Sequence, residues 1–423
     1  MNGNRFVKGV RIAGIVAVVA LAVLLAVRLQ ARSADAKLKS EFIQKVGPLD
    51  PAAYASPSVP DAENAAIWLR SAAAALTLSE ADRGLIGDLS WLRPDEWTAA
   101  QETAIERIFS RNAPSFALAE RASALPRSSF MLSGPEATNA KYPASLIDLI
   151  RLARMIDQRA RLAVKQRDWP MFRSGVAELA CVGASLESES PLIGQLVGVA
   201  TESMMFDAIL VAMRSPATDR AALQGLDATI PGIDLAASWR RALGALAAGV
   251  HSGIVDPRAM FDQGSTKVGL SVPSSEEYLR IVLAIEGLAA RPLGLDPALA
   301  DRLEKDKGLH KGRPIGDFLA GSLVRYQRTL SLRRVARLAI GLRLAALDGG
   351  RYPDTLAAWP EASAPDPLTG GALRYERRGD GSAVISVPGA EELFNKINEL
   401  KTSVPFTWEL APPQPAAAKS GTK

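Results

Sequence analysis

The sequence predicts a mainly α-helical protein with one N-terminal transmembrane helix, an antiparallel multi-helix body and a small β-hairpin packed on a long helix. Hydrophobic residues make up 48% of the 423 residues but aromatic residues only 6%. Alanine and leucine dominate, and these residues have the best helix propensities. Apolar side chains recur at intervals of three and four through most of the chain, and strict alternation is confined to the C-terminal end.

The N-terminal segment has the character of a membrane span. Residues 12–27 are sixteen residues without a polar side chain, between Arg11 and Arg28. About 20 residues cross a bilayer core; Val10 and Leu29 extend the run, and the two arginines can place their charged ends in the interface. We therefore predict a single-pass anchor in the inner (cytoplasmic) membrane. Its residues are Ile12, Val16, Leu21, Leu24 and Val27, flanked by Arg11 and Arg28.

A cleavable signal peptide is the alternative for this segment. Arg5 and Lys8 give it a positive start, and residues 34–36 (Ala-Asp-Ala) offer a cleavage site. Arg28 and Arg32 stand between the apolar run and that site, and the run is long for a signal peptide, so an uncleaved anchor is preferred. Both alternatives place the bulk of the chain outside the cytoplasm.

The rest of the chain divides by composition into four further parts. Residues 1–30 are the anchor, 31–60 a polar helical stalk with a proline-rich linker, and 61–313 a helical body. Residues 314–410 hold a long helix and a β element, and 411–423 form a low-complexity tail predicted to be disordered.

Within the body, Asp61 is the predicted cap of the first helix. A helix is predicted over 144–167, a second to about Glu189, and a third from Pro191 to Met213. Their short connections imply antiparallel neighbours. No fixed repeat period is found, so a bundle and a solenoid both remain open. Further helices are predicted at 218–229, 234–250, 275–290 and 296–306.

The C-terminal end changes from helical to β patterning. The long helix is predicted from Pro314 to Asp348. Two alternating segments follow, Leu373–Glu376 and Ala383–Val387, separated by a turn-rich stretch. These segments predict a β-hairpin.

Three short motifs carry a resemblance at this end of the chain: GRYPDTL at 350–356, DPLTG at 366–370 and LRY at 373–375. Residues 337–387 resemble the C-terminal part of type II secretion pseudopilins, and of large membrane-anchored bacterial envelope proteins. The resemblance implies a structural role for Tyr352, Pro353, Leu356, Asp366, Pro367, Gly370 and Tyr375. The pseudopilin processing site and the acidic calcium loop are absent from this sequence, so the resemblance implies a fold element rather than pilus assembly or calcium binding.

Few residues suggest chemistry. The net charge is +5 and no long basic block is present, which argues against a nucleic-acid partner. Cys181 is the single cysteine, so no intramolecular disulfide forms. His251 and His310 are the two histidines, and neither stands in a metal-binding spacing. We predict no metal and no cofactor, and an enzymatic activity is not favoured.

The long helix is rich in arginine. At about 100° per residue these side chains form two clusters on a wide arc, which favours solvated or paired charges over a single anion site. Contact with anionic lipid headgroups or an acidic partner is the alternative. The arginines are Arg325, Arg328, Arg333, Arg334, Arg337 and Arg343.

These observations favour a structural or protein-interaction component of the cell envelope, with the lipid bilayer and an envelope protein as partners. One alternative is an extracytoplasmic hydrolase that uses His251 or His310 beside a serine or a carboxylate in a deep pocket. A secretion-apparatus accessory is the other. The sequence specifies neither the molecular activity nor the oligomeric state.

Overall fold

The computed structural model describes most of the predicted body and the C-terminal element. The described residues are Gln30, 32–55, 58–130, 146–187, 192–232, 234–253, 275–289, 314–397 and 404–413. The predicted anchor at 12–27, the predicted helix at 296–306, His310 and residues 414–423 lie outside them. Over the described residues the protein is mainly helical with one small antiparallel sheet, as the sequence predicts.

The helices are numbered in chain order. The N-terminal half contains α1 (32–45), α2 (Ala65–Ala74), α3 (Glu80–Leu89), α4 (Ala99–Arg111), α5 (Ala113–Ser123), α6 (Leu146–Gln166) and α7 (Trp169–Glu187). The C-terminal half contains α8 (Leu192–Arg214), α9 (Arg220–Leu223), α10 (Leu226–Thr229), α11 (Leu235–His251), α12 (Ser275–Ala289), α13 (Pro314–Gly349), α14 (Pro360–Ser363) and α15 (Ala390–Ile397). The strands are β1 (Arg374–Arg377), β2 (Ala383–Ser386) and β3 (Thr407–Leu410).

Helices α6, α7 and α8 form the centre of the body, with α7 packed on both of the others. Two residues join α6 to α7, so these helices run antiparallel, as predicted. Where α7 meets α8, Gly183 faces Gly198, and a Cβ on Gly198 would lie 2.8 Å from the Gly183 carbonyl oxygen. The two glycines let the helix backbones approach closely.

Helix α8 is the one helix of the described residues that is long and apolar enough to span a membrane. Two thirds of its most apolar stretch, 67%, is buried by the rest of the protein. Since α6, α7 and α13 cover it, we interpret α8 as the core helix of the body.

Helices α2 and α5 pack together as a second layer over α6 and α7. Asn64, rather than the predicted Asp61, caps α2: its side chain accepts a hydrogen bond from the Ala66 amide at 3.1 Å. The same side chain bonds both the amide and the carbonyl of Ser129. Asn64 therefore ties the start of the body to the end of α5.

The segment predicted as a stalk and linker packs against the helical body at several of its described residues. Phe42 and Val46 enter the hydrophobic core from the end of α1. Tyr54 is buried against Gly244 of α11, where any side chain would collide with its ring. Arg241 donates to the carbonyl of Tyr54 at 3.2 Å. These contacts fix the chain between α1 and α2 on α11.

The long helix α13 lies against α8 and also supports the sheet. The predicted hairpin is confirmed as β1 and β2, with Tyr375 opposite Ile385. A third strand, β3, was not predicted; it pairs antiparallel with β2 and buries Trp408. Ala411, at the start of the predicted disordered tail, donates its amide to the Met213 carbonyl at 2.9 Å.

Candidate functional site

His251 is the described residue on which the hydrolase alternative depends. It is the last residue of α11, half-buried, and its Nδ1 lies 3.0 Å from the hydroxyl of Ser275 at the start of α12. Within the described ranges no carboxylate is hydrogen-bonded to His251. The contact joins a histidine to a serine hydroxyl, but through Nδ1 rather than through the Nε2 atom that meets the serine in a Ser-His-Asp triad.

A buried ionic cluster joins three central helices. It consists of Glu187 at the end of α7, Glu202 in α8 and Arg333 in α13, with side chains at most 5% exposed. The Arg333 guanidinium donates to Glu187 at 2.7 Å and to Glu202 at 2.8 and 3.0 Å. One arginine thus holds two carboxylates from neighbouring helices.

Glycines make room for these carboxylates. A Cβ on Gly198 would lie 2.7 Å from Glu187 Cγ, and one on Gly183 would lie 3.0 Å from Glu202 Cγ. Burial raises the pKa of Glu187 well above its usual range; the nearby Glu202 charge adds to this, and Arg333 opposes it. Burial also raises the pKa of Glu202, while the charges of Arg333 and Arg337 oppose this rise.

A second buried cluster connects α6 to α8. Arg161 lies 3.9 Å from Asp157 and 3.8 Å from Asp207, and it also donates to the carbonyl oxygens of Leu89 and Leu92. Burial, together with the Asp207 charge, raises the pKa of Asp157 to about 7, while Arg161 opposes the rise. This carboxyl group therefore titrates near neutral pH.

An open cavity of about 640 Å³ runs along α7, and we call it the α7 groove. All of its lining side chains except Arg127 are uncharged, and most are small. They are Val59, Ala65, Ser123, Leu125, Pro126, Arg127, Ser128, Ala177, Ala180, Cys181, Ala184, Ser185, Thr229, Pro231 and Gly232. Neither buried ionic cluster contributes a lining residue.

Hydrogen bonds hold the two walls of the α7 groove. On one side the Ala65 amide donates to the Arg127 carbonyl at 2.9 Å, in an isolated parallel β-bridge. On the other, Arg337 of α13 donates to the carbonyls of Ile230 and Pro231 at 3.2 and 3.3 Å. Since both walls are braced, the groove is a preformed feature of the body.

Two polar groups of the α7 groove bear on its chemistry. Burial raises the pKa of the Cys181 thiol to about 11, so it stays protonated at neutral pH and is a poor nucleophile. The Ser128 hydroxyl is buried and has no hydrogen-bond partner among the residues that the structure describes. The groove is therefore suited to binding rather than to covalent chemistry.

The arginines of α13 are less solvated than the sequence predicts. Arg328, Arg333 and Arg343 are at most 5% exposed, so the prediction of solvated or paired charges holds for the paired Arg333 and is wrong for Arg328 and Arg343. Arg333 is paired, as described above. Their burial depends on acceptors far away in sequence, which helix periodicity does not reveal.

Arg328 and Arg343 have no carboxylate partner among the described residues, and backbone and hydroxyl oxygens accept their hydrogen bonds instead. Arg328 donates to the Val404 carbonyl at 2.7 Å, and burial lowers its pKa to about 10. Arg343 donates to the carbonyl oxygens of Ser215, Pro216, Thr218 and Ala411 and to the Tyr352 hydroxyl. These bonds attach the C-terminal element to the end of α8.

The C-terminal motif residues form turns and packing contacts. Tyr352 donates to the Ala411 carbonyl at 2.8 Å, and Tyr375 donates to the Pro353 carbonyl at 2.7 Å. Asp366 accepts from the amide groups of Leu368 and Thr369 at 2.9 and 2.8 Å. Leu356 and Pro367 are half-buried, and Gly370 has the positive φ of +73° that its turn requires.

Comparison with protein-family models, curated proteins and solved structures finds no match to this chain.

Proposed function

We propose that this chain is a single-pass inner-membrane protein whose helical body lies outside the cytoplasm and binds an envelope protein partner. The apolar stretch at 12–27, bracketed by Arg11 and Arg28, supports the membrane part. The observation that carries the binding part is the α7 groove, which is preformed, neutral and about 640 Å³ in volume.

The proposed occupant is an extended segment of the partner, with small or apolar side chains. The small side chains of α7 leave space for a backbone to approach, and a charged segment would lose its solvation against neutral walls. The Ser128 hydroxyl, buried and without a partner, offers a hydrogen bond to a peptide group. Arg127 at the rim is the one charged lining residue.

Site-specific photocrosslinking in native membranes tests this binding. A benzoylphenylalanine at Ala184, in the α7 groove, is expected to give one discrete adduct with another protein. The same probe at Ala100, exposed on α4, is expected to give none. Filling the groove with Ala177→Trp should abolish the Ala184 adduct, whereas Ala100→Trp should leave it unchanged.

Two outcomes contradict the proposal. One is an adduct at Ala184 that persists in the Ala177→Trp variant, since it then does not arise from the groove. The other is an adduct with the mass of two copies of this chain, which indicates self-association instead of an envelope partner.

A hydrolase is the second candidate, favoured by the 3.0 Å contact between His251 Nδ1 and the Ser275 hydroxyl. If Ser275 is a nucleophile, a fluorophosphonate probe should label the full-length protein, and Ser275→Ala should remove the label. Ser252→Ala is the matched control, because Ser252 is the neighbour of His251 and bonds the Gly249 carbonyl instead. Equal labelling of both variants would exclude this candidate.

A further inference from the structure

A second cavity, of about 340 Å³, lies where α6 and α8 end, beside the short 3-10 helix at Pro94–Glu96. Four cationic side chains from separate parts of the chain line it: Arg93, Lys165, Arg167 and Arg214. Asp95 is the acidic residue among the lining residues. The cavity shares no residue with the α7 groove.

Arg167 occupies a position where glycine is the favoured residue. It follows the last residue of α6 with a φ of +60°, in the left-handed region, and it is the non-glycine residue with positive φ among the described residues. Its amide donates to the Val164 carbonyl, and the Asp168 amide donates to the Ala163 carbonyl. A glycine would end the helix here without backbone strain. The arginine at this position therefore has a cost in conformational energy.

Arg214 is the most enclosed of the four cations. Its Nε is buried and has no hydrogen-bond partner, and neither Arg214 nor Arg167 forms an ion pair within the described ranges. The Arg214 charge influences Asp207, whose ion pair is with Arg161. Arg214 thus brings to the cavity a guanidinium that has no direct ion pair among the described residues.

The other two cations are partly neutralised. Lys165 pairs with Glu102, and Arg93 lies 3.8 Å from Asp95 and 3.5 Å from Glu96. They contribute positive potential at the rim, where their pairs are exposed to solvent and screened.

Hydrogen bonds to the carbonyl groups of Ala212 and Met213 at the end of α8 do not account for the Arg214 side chain. Basic residues often complement the carbonyl groups at a helix end. Here the Ala212 carbonyl already accepts from Thr218 and Ser215, and the Met213 carbonyl accepts from the Ala411 amide. With these acceptors satisfied by other groups, the guanidinium of Arg214 remains available to a ligand.

We infer that this cavity binds a phosphate-bearing anion, held chiefly by Arg167 and Arg214. Guanidinium groups match phosphate oxygens in geometry and charge. The volume is at the lower end of the range for ligand pockets, so it fits a phosphate or diphosphate group with a small substituent. A soluble phosphate compound and an anionic lipid headgroup share this chemistry.

Calorimetric titration of the full-length protein in neutral detergent tests the site, with inorganic pyrophosphate as the first probe. A second arm uses nanodiscs of phosphatidylglycerol against nanodiscs of phosphatidylcholine. We expect binding that Arg214→Gln and Arg167→Gly each weaken by about tenfold or more, since each removes a charged hydrogen-bond donor. Arg107→Gln, an equal charge change on exposed α4, should leave binding unchanged.

Arg167→Gly also gives a readout independent of the ligand. Without pyrophosphate, this variant should melt at a higher temperature than the native protein because the left-handed strain is relieved. If this variant loses pyrophosphate binding while its melting temperature rises, the loss is due to the missing side chain and not to a damaged fold.

The two arms identify the source of the phosphate group. Pyrophosphate binding assigns the site to soluble phosphate compounds, and a response to phosphatidylglycerol alone assigns it to a headgroup. The inference is overturned if neither probe binds the native protein at millimolar concentration, or if both cavity variants bind as the native protein does.

Discussion

At the scale of single residues, buried ionisable groups dominate this structure. Asp157 is the clearest case because burial and the Asp207 charge raise its pKa to about 7. In the unfolded chain the same carboxyl group has the ordinary aspartate pKa of about 3.8. Between these two pKa values the folded protein holds a proton that the unfolded chain releases. The contribution of Asp157 to stability is therefore full below about pH 4 and is lost as the pH rises to about 7.

Replacing Asp157 by asparagine should flatten this part of the pH dependence. Asparagine keeps an oxygen that can accept from Gln158, which donates to Asp157 at 3.0 Å. We expect the free energy of unfolding of Asp157→Asn to fall less between pH 4 and 7 than that of the native protein. Urea unfolding at several pH values measures the free energy of unfolding of both proteins. Parallel curves for the two proteins would show that Asp157 does not titrate in this range.

Single residues are also where the sequence was least informative. Asp61 was the predicted helix cap, but Asn64 takes this role because its amide can also bond Ser129, 65 residues away. Helix periodicity alone places Arg333 on a wide arc of charged side chains. Its burial depends instead on Glu187 and Glu202, which are 146 and 131 residues away. Such long-range pairs leave no local pattern in a single sequence.

At the scale of secondary-structure elements, the close contact of α7 with α8 is the feature on which the centre of the body depends. A methyl group at Gly198 would meet Glu187 Cγ at 2.7 Å and the Gly183 carbonyl at 2.8 Å. We expect Gly198→Ala to lower the free energy of unfolding by about 1–3 kcal/mol through overpacking.

Gly84→Ala is the matched control for this substitution. Gly84 is an exposed residue of α3 with open space around its Cα. There the change should raise the free energy of unfolding by roughly 0.5–1 kcal/mol, because alanine favours the helix. Urea unfolding followed by circular dichroism compares the two variants. An unchanged midpoint for Gly198→Ala would mean that α7 and α8 are further apart than described.

Elements were predicted well where their signal is local. The helix predicted over 144–167 is observed as Leu146–Gln166, and the long helix predicted from Pro314 to Asp348 ends one residue later, at Gly349. The strand β3 was missed because it is four residues long and owes its formation to pairing with β2. Neither the α7 groove nor the basic cavity could be predicted, since each combines residues from several distant segments.

At the scale of the whole molecule, the described body is a helical protein with its C-terminal sheet fastened to α8 and α13. Arg343 and Ala411 make this attachment through hydrogen bonds to several segments. The chain between α1 and α2 is fixed on α11 by Tyr54.

The proposed location of this body is tested most directly by a C-terminal fusion to a reporter enzyme that needs periplasmic disulfide formation for activity. We expect the fusion to sediment with inner membranes, to resist extraction by high salt, and to be active. Replacing Val16 and Leu21 by arginine should release an inactive protein into the cytosol, since two charges in the apolar stretch oppose insertion. An inactive, soluble fusion of the native sequence would contradict both the membrane anchor and the envelope partner.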